Sequence, residues 1–286
     1  MPSILKAKGS SGHNLLISYN KITMSTFTII TVCLNIASTI QRTCESIVNQ
    51  TFQDFQWIVV DGASTDGTLA ILKKYSYRID ILVSEPDKGI YNAMNKGIKQ
   101  ATGEYINFMN GGDEFYDKDV LKRIVETKPN TDVIYGDCIM INHNNSFLFR
   151  NQRKLCPKSL YQKSINHQAT FTRNAVMRQY LFDEHFKIAA DYDFFIKIYF
   201  KKTYSFKRTD TVISLFYADG ISSTNPEVNI REKTFIRKKY FCIIQRLKFD
   251  QQLKQNIKDK IRFIIMVATH PRYIAGWLKR KLIKQK

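Results

Sequence analysis

Acidic residues follow apolar runs at three places in the first half of the chain. Asp61 ends FQWIVVD, Glu85 and Asp87 follow IDILVS, and Asp113 follows YINFMNGG. Carboxylates brought together repel one another unless a cation or a proton joins them. Oxygen ligands of this kind suit Mg²⁺ or Mn²⁺, hard ions that share their coordination shell with phosphate oxygens. In INFMNGGDEFYD, residues 106–117, the apolar stretch runs into Asn110, two glycines and an acidic cluster, so backbone and carboxylate can come close to a bound group.

These residues meet only if several strand ends share an edge. FTIITVCLN reads as a buried strand, and the helix after it carries Ile36, Ile40, Cys44, Ile47 and Val48 on one face, with Ser38 and Gln41 spaced as a capping box. FQWIVVD is a second strand, STDGTLAILKKY a second helix opened by capping residues, and IDILVSEPD a third strand. IYNAMNKGIKQA is a third helix with Ile90, Met94, Ile98 and Ala101 inward, and EYINFMN is a fourth strand. Regular alternation of strand and helix predicts an α/β fold with a parallel sheet and helices on both faces. Ligands of open α/β sheets bind outside the carboxyl ends of the strands, so Asp61, Glu85, Asp87 and Asp113 are expected on one edge. Residues 130 to 225 are less regular: strands are expected at TDVIYGDCIM, SFLFR, HQATFTR and YSFKRTDTVISLFYADG, and a helix at ADYDFFIKIYF. This half reads as a mixed extension of the sheet, a place for a second substrate.

At 286 residues and 44% hydrophobic, the chain can bury a sizeable core. Five widely spaced cysteines without a C-x-x-C pair indicate neither a disulfide framework nor a zinc site. No stretch has the length and apolarity of a membrane span, and the first residues lack a signal-peptide core, which places the chain in the cytoplasm. Residues 1–25 show no helix or strand period and read as a disordered leader, with Met24 an alternative start.

The net charge is +19, and from Glu227 onward 17 Lys+Arg stand against 4 Asp+Glu. Three amphipathic helices are legible in this basic tail, residues 226–286. Ile236, Tyr240, Ile243, Ile244 and Leu247 share one face of the first; Ile257, Ile261, Ile264 and Ile265 share one of the second; and Ile274, Trp277 and Leu278 lie among lysines and arginines in the third. The first is expected to pack on the body of the protein. The last fits an anionic membrane surface, which puts the chain peripherally on the inner face of the cell membrane. The basic residues form no recognisable nucleic-acid reader, and an acidic edge repels phosphate unless metal is bound, so no nucleic-acid partner is expected.

The ordered set ITVCLN, SIVNQTFQDFQWIVVDGASTDGT, SEPDKGIYNAMNKGIKQATGEYINFMNGGDEF, HQATF and AADYDF resembles the family 2 inverting glycosyltransferases of the GT-A (Rossmann-like) fold, nearest to the bacterial branch that builds capsule, O-antigen and exopolysaccharide. The resemblance implies a catalytic domain over 26–225, with a nucleotide-sugar half (26–115) and an acceptor half (116–225). ITVCLN, with Thr31 and Asn35, would form the first wall of the nucleotide pocket. Asp61 would accept from nucleobase or ribose, or else cap a turn; the family has two acids where this chain has DGAS. Asp66 reads as a helix cap. Lys88, at a helix N-terminus, would pair with phosphate or lie solvated, and Asn95 would support the donor pocket by bracing a loop.

NGGD stands where the family has its D-x-D-like metal motif and keeps only the final acid, Asp113, as ligand for Mg²⁺ or Mn²⁺. His167 and Gln168 of HQATF fall near the acceptor or donor-sugar pocket. Asp191 of AADYDF occupies the position of the catalytic base, with the N-cap of the following helix as its other reading. The implied partners are a nucleotide-sugar donor and a saccharide acceptor, free or lipid-linked. The reduced metal motif leaves open a noncatalytic nucleotide-sugar-binding relative, and the charge alone a basic nucleic-acid-binding protein.

Overall fold

The computed structural model describes residues 3–8, 14–19, 25–127, 130–142, 145–217 and 225–250, with isolated positions up to 262. The chain divides into two compact units, residues 1–236 and 237–286. Strands β1 (Ser3–Lys8) and β2 (Asn14–Tyr19) pair antiparallel, which differs from a leader without strands. Both segments carry apolar strand formers, SILK and LLIS, across a short Gly- and Ser-rich connection, enough for local pairing. Met24 lies outside the described residues.

The main sheet begins with β3 (Phe27–Cys33), β4 (Phe55–Asp61), β5 (Ile81–Ser84) and β6 (Tyr105–Phe108), all parallel. Every residue of β3 and β4 is buried, as a strand covered on both faces requires. Their buried polar groups find partners: Thr28 Oγ1 donates to Gln56 Oε1 at 2.8 Å, and Trp57 Nε1 donates to Thr31 Oγ1 at 3.1 Å. The second half adds β7 (Glu114–Phe115), β8 (Val133–Asn142), β9 (Asn145–Phe149), β10 (Thr170–Arg173) and β11 (Phe206–Tyr217). The strand order is β5-β4-β3-β6-β10-β8-β11-β7, with β9 on β8, and β10 turns the sheet mixed by pairing antiparallel with β6 and β8. β4 and β5 step off one side of β3 and β6 off the other, so the order reverses there and opens a crevice at the carboxyl ends of β3 and β6.

The helices are α1 (Ile40–Val48), α2 (Thr68–Lys73), α3 (Ile90–Gln100), α4 (Val120–Glu126), α5 (Pro157–Gln162), α6 (Asn174–Tyr180), α7 (Ala190–Lys201), α8 (Pro226–Tyr240) and α9 (Ile243–Phe249). Ile29 shares a core with Ile40, Cys44 and Ile47 of α1, whereas Ile30 faces Gly97 of α3. Successive strand residues point to opposite faces, so α1 and α3 cover the two sides of β3.

Three local expectations are corrected. The N-cap of α1 is Thr39, whose side chain caps no helix N–H, and Gln41 instead donates to Glu45 at 2.8 Å, so Ser38 and Gln41 form no capping box. His167–Ala169 of HQATFTR is a 3₁₀ turn, with the strand starting at Thr170. The first tail helix is two, α8 ending at Tyr240 and α9 starting at Ile243; Ile236 of α8 is buried as expected, whereas Ile243 and Ile244 of α9 are exposed, 63% and 73%. The second and third tail helices, with Ile264 and Trp277, lie outside the described residues apart from a few positions of the second. Among the described residues, no helix is long and apolar enough to cross a membrane, and the five cysteines are free.

Candidate active site

The loop after β6 owes its shape to its two glycines. Gly112 has φ +98°, a left-handed conformation that disfavours side chains. Gly111 lies so close to the end of β3 and the turn into α1 that a Cβ there would sit 2.1 Å from Ile36 Cδ1 and 3.0 Å from Cys33 Cβ. Backbone bonds from Met109 to Ile30 and from Gly111 to Val32 continue the pairing with β3, and Thr43 Oγ1 accepts the Gly112 N–H at 2.8 Å. The loop therefore presents Asn110 and Asp113 from a rigid seat at the mouth of the crevice.

Asp113 is 6% exposed. Its Oδ2 accepts from Gln168 Nε2 at 3.0 Å and its Oδ1 from the Tyr217 N–H at 3.2 Å. Burial pushes the carboxyl up to about 6, against the lowering effect of those two donors. The neighbouring Glu114 is occupied: it accepts from Tyr217 Oη at 2.7 Å and faces Arg42, whose guanidinium lies 3.5 Å from the centroid of the Tyr217 ring.

Asn110 opens a chain of side-chain contacts. Its Nδ2 lies 3.1 Å from His167 Nε2, and His167 Nδ1 lies 3.0 Å from Asp191 Oδ2. With the Asn110 amide donating, Nε2 must accept, so the ring proton sits on Nδ1 and points at Asp191. Asp191 Oδ1 accepts from the Tyr192 N–H at 2.8 Å and lies 3.3 Å from Tyr91 Oη, whose proton goes to the nearer Ile188 carbonyl. Burial, then the charge of Asp191, raises the Tyr91 phenol well above its ordinary value, so it stays a donor. Asp191 is the second residue of α7; the N-cap is Ala189, which corrects the capping alternative for Asp191. Asp193, 1% exposed, pairs with Lys197 at 3.2 Å.

Of the remaining expected residues, all but Lys88 serve the scaffold in this structure. Asp61 is fully buried; it accepts from the Ser64 N–H at 3.0 Å, from Ser84 Oγ at 2.7 Å and from Ser64 Oγ, which is its turn-capping reading. Asn35, with φ 50°, receives the Thr65 N–H on Oδ1 and donates its own N–H to Ser64 Oγ, joining the loops after β3 and β4. Asp66 accepts from the N–H groups of Ala37 and Thr68 just ahead of α2. Thr31 is enclosed in the sheet with its hydroxyl on Trp57, so it does not wall the crevice. Lys88 is exposed two residues ahead of α3, with its N–H on Asn92. Asn95 braces a loop with two donors and one acceptor: it donates to the Phe182 carbonyl and Glu184 and accepts the Phe182 N–H.

The acidic edge is less convergent than its spacing suggests. Glu85 and Asp87 are held by Lys96 Nζ at 2.8 and 2.6 Å. Among the described residues, no group of three or more His, Cys, Asp or Glu stands ready to hold a metal. What a cation bound at this loop would meet is Asp113 and Asn110 Oδ1, a buried amide oxygen without a partner. One carboxylate and one amide oxygen fit Mg²⁺ or Mn²⁺ only if water and a ligand's phosphates complete the shell. A cavity of about 290 Å³ beside β8, β9 and β11, lined by Asp137, Asn151 and Arg208 among others, includes none of these residues. Sequence reading missed Tyr91 and Arg42, which sit within helices, and the orphan oxygen of Asn110.

The chain matches Glycosyl transferase family 2 over residues 28–186. It is 31% identical over 221 residues to the PGL/p-HBAD biosynthesis glycosyltransferase of Mycobacterium tuberculosis, covering 74% of this chain and 83% of that protein. Among solved structures, Staphylococcus aureus TarS 1–349 in complex with UDP aligns with a TM-score of 0.59 at 20% identity, over 79% of this chain and 73% of that one. The mannosyltransferase PcManGT of Pyrobaculum calidifontis, in complex with GDP-Man and Mn²⁺, aligns with a TM-score of 0.52 at 19% identity, over 68% and 57%. These two show a shared fold, and the family match with the mycobacterial identity shows kinship. The chain belongs to glycosyl transferase family 2 and is a glycosyltransferase of the GT-A fold.

Proposed function

We propose that this glycosyltransferase moves a sugar from a nucleotide-diphosphate donor to a hydroxyl of a saccharide acceptor, with inversion, in the synthesis of a cell-surface glycan. The observation that carries the reading is the contact chain from Asn110 through His167 to Asp191, which couples the loop of the candidate cation ligand to a carboxylate at the start of a helix. Single displacement needs a base, because a sugar hydroxyl is a poor nucleophile. The acceptor oxygen bonds to C1 of the donor sugar as its proton passes to Asp191, and the bond from C1 to the diphosphate oxygen breaks. His167, donating from Nδ1 to Oδ2, and the Tyr192 N–H, donating to Oδ1, fix the carboxylate's orientation, and a remaining lone pair would take the incoming proton. A divalent cation bound by Asp113 and the Asn110 oxygen would neutralise charge on the leaving diphosphate. Gln168 holds Asp113 in place for that role.

Relatives support the wider setting. The mycobacterial protein is named for PGL/p-HBAD biosynthesis, and a Bacillus subtilis protein named for teichuronic acid biosynthesis is 34% identical over 101 residues. TarS structures hold UDP and UDP-GlcNAc, and PcManGT holds GDP-Man. A lipid-linked acceptor would bring the enzyme to the inner face of the membrane, where the basic tail would meet anionic headgroups. Ile230 and Phe235 of α8, 67% and 59% exposed among Arg231, Lys233 and Arg237, suit that contact.

The test is thermal unfolding with a panel of nucleotide sugars, with and without Mn²⁺, since binding to the native state raises the melting temperature. The reading expects one donor to stabilise the protein in the presence of Mn²⁺, and Asp113→Ala to abolish the Mn²⁺-dependent part. Equal stabilisation of wild type and variant would refute the assignment of Asp113.

A further inference from the structure

Glu232 lies in α8, in the basic tail that follows the matched family region, yet it is only 8% exposed. A buried carboxylate needs several donors, and Glu232 has three consecutive ones. Its Oε1 accepts the Lys187 N–H at 2.8 Å, and its Oε2 accepts those of Ile188 and Ala189, both at 3.0 Å. Successive N–H groups converging on one anion form a cradle that fixes the backbone as well as the charge. The same turn is gripped elsewhere by Tyr91, whose hydroxyl donates to the Ile188 carbonyl. Phe186 and Phe235 add a ring contact, with centroids 6.1 Å apart. Ala189 is the N-cap of α7 and offers no side-chain cap.

We propose that Glu232 is a positioning residue for Asp191: by holding the Lys187–Ala189 turn, it sets where α7 begins and so keeps the Asp191 carboxylate on His167. Asp191 stands two residues beyond the last N–H that Glu232 receives, and no flexible link separates them. The catalytic unit then extends through Glu232, and a chain cut at 225 lacks part of its own site. The functional weight of the proposal rests on Asp191 being the base. The positional claim does not, and its test needs no donor.

The test is ¹⁵N NMR of histidine in the full chain, with the His167 signal assigned through His167→Gln. Wild type is expected to show His167 protonated at Nδ1 and held there by Asp191. Glu232→Gln removes the charge and one acceptor; it is expected to give a mixture of His167 tautomers and at least about tenfold faster exchange of the 187–189 amides, equivalent to about 1.4 kcal/mol of local stability. Glu232→Asp keeps the charge and both oxygens and is expected to recover the wild-type tautomer in part; it also serves if Glu232→Gln does not fold. Ile236→Val, a buried change on the same helix, is expected to lower Tm and leave His167 as in wild type. An unchanged His167 in Glu232→Gln overturns the proposal. So does a change of equal size in Ile236→Val, because α8 would then act through packing alone. Loss of the base role is seen separately, as full activity of Asp191→Asn.

Discussion

Asp113 sits in an environment far from what water would give it. Burial raises its carboxyl from the ordinary 3.8 to about 6, so the folded state binds the proton more tightly than the unfolded one. The sign follows by linkage: the contribution of Asp113 is most favourable below about pH 4, falls as pH rises toward 6, and stays low above that. Asp113→Asn removes this titration while keeping an oxygen for one of the two donors. In metal-free buffer the variant is expected to gain on wild type between pH 4 and pH 7, by on the order of 1–3 kcal/mol. Urea unfolding at the two pH values measures it; a gap that shrinks as pH rises would contradict the buried, partly neutral carboxyl. Much of the candidate site was readable one residue at a time. Asp113, His167, Gln168 and Asp191 stand in short segments with a fixed order, and the structure brings them into one linked cluster. What could not be read was how completely Asp61 and Thr31 are used by the scaffold: a serine three residues away and a tryptophan on the next strand satisfy them, and neither distance in sequence announces the contact.

Elements were legible where one period dominated. The buried runs of β3, β4 and β6 and the inward face of α3 leave little choice of structure, and their alternation fixes a parallel sheet with its crevice at the carboxyl edge. Short pieces escaped: β7 has two residues, and α5 and α6 are too brief for a helical period to stand out. The break between α8 and α9 was hidden because the apolar spacing runs on past Tyr240 while the backbone does not. The loop from β6 to β7 depends on close approach to the turn between β3 and α1, and that gives a direct prediction. Gly111→Ala adds a carbon where Ile36 already stands, so Ile36 or the loop must move. The expected cost is about 1–3 kcal/mol, the range for overpacking, with a rise in donor KM larger than the fall in kcat. Gly111→Ala combined with Ile36→Val should recover part of the stability, and failure to recover any would show that the clash is not with that side chain.

For the whole molecule, the candidate catalytic side chains and most of the excess positive charge fall in different stretches of the sequence. Asp113, His167 and Asp191 precede residue 225, while most of the excess positive charge follows Glu227. A basic tail attached to a sugar-transferring domain makes sense if the acceptor is carried on a membrane. Removing residues from Arg272 onward is then expected to release the protein from anionic vesicles and to spare turnover of a short soluble acceptor, since each basic residue near such a surface is worth on the order of 1 kcal/mol. Sedimentation with vesicles of phosphatidylglycerol measures it; binding that survives the cut would contradict the role of the tail. The central claim, that Asp191 takes the proton of the acceptor, is tested most directly by the transfer rate of Asp191→Asn with the donor that stabilises the protein. The structure puts Asp191 on His167 and puts Asp193 on Lys197, so the two carboxylates separate in one experiment. Asp191→Asn should transfer at least about a hundredfold more slowly, with donor affinity and Tm near wild type, and Asp193→Asn should lose stability while keeping a larger share of its rate; an active Asp191→Asn beside an inactive, folded Asp193→Asn would contradict the account.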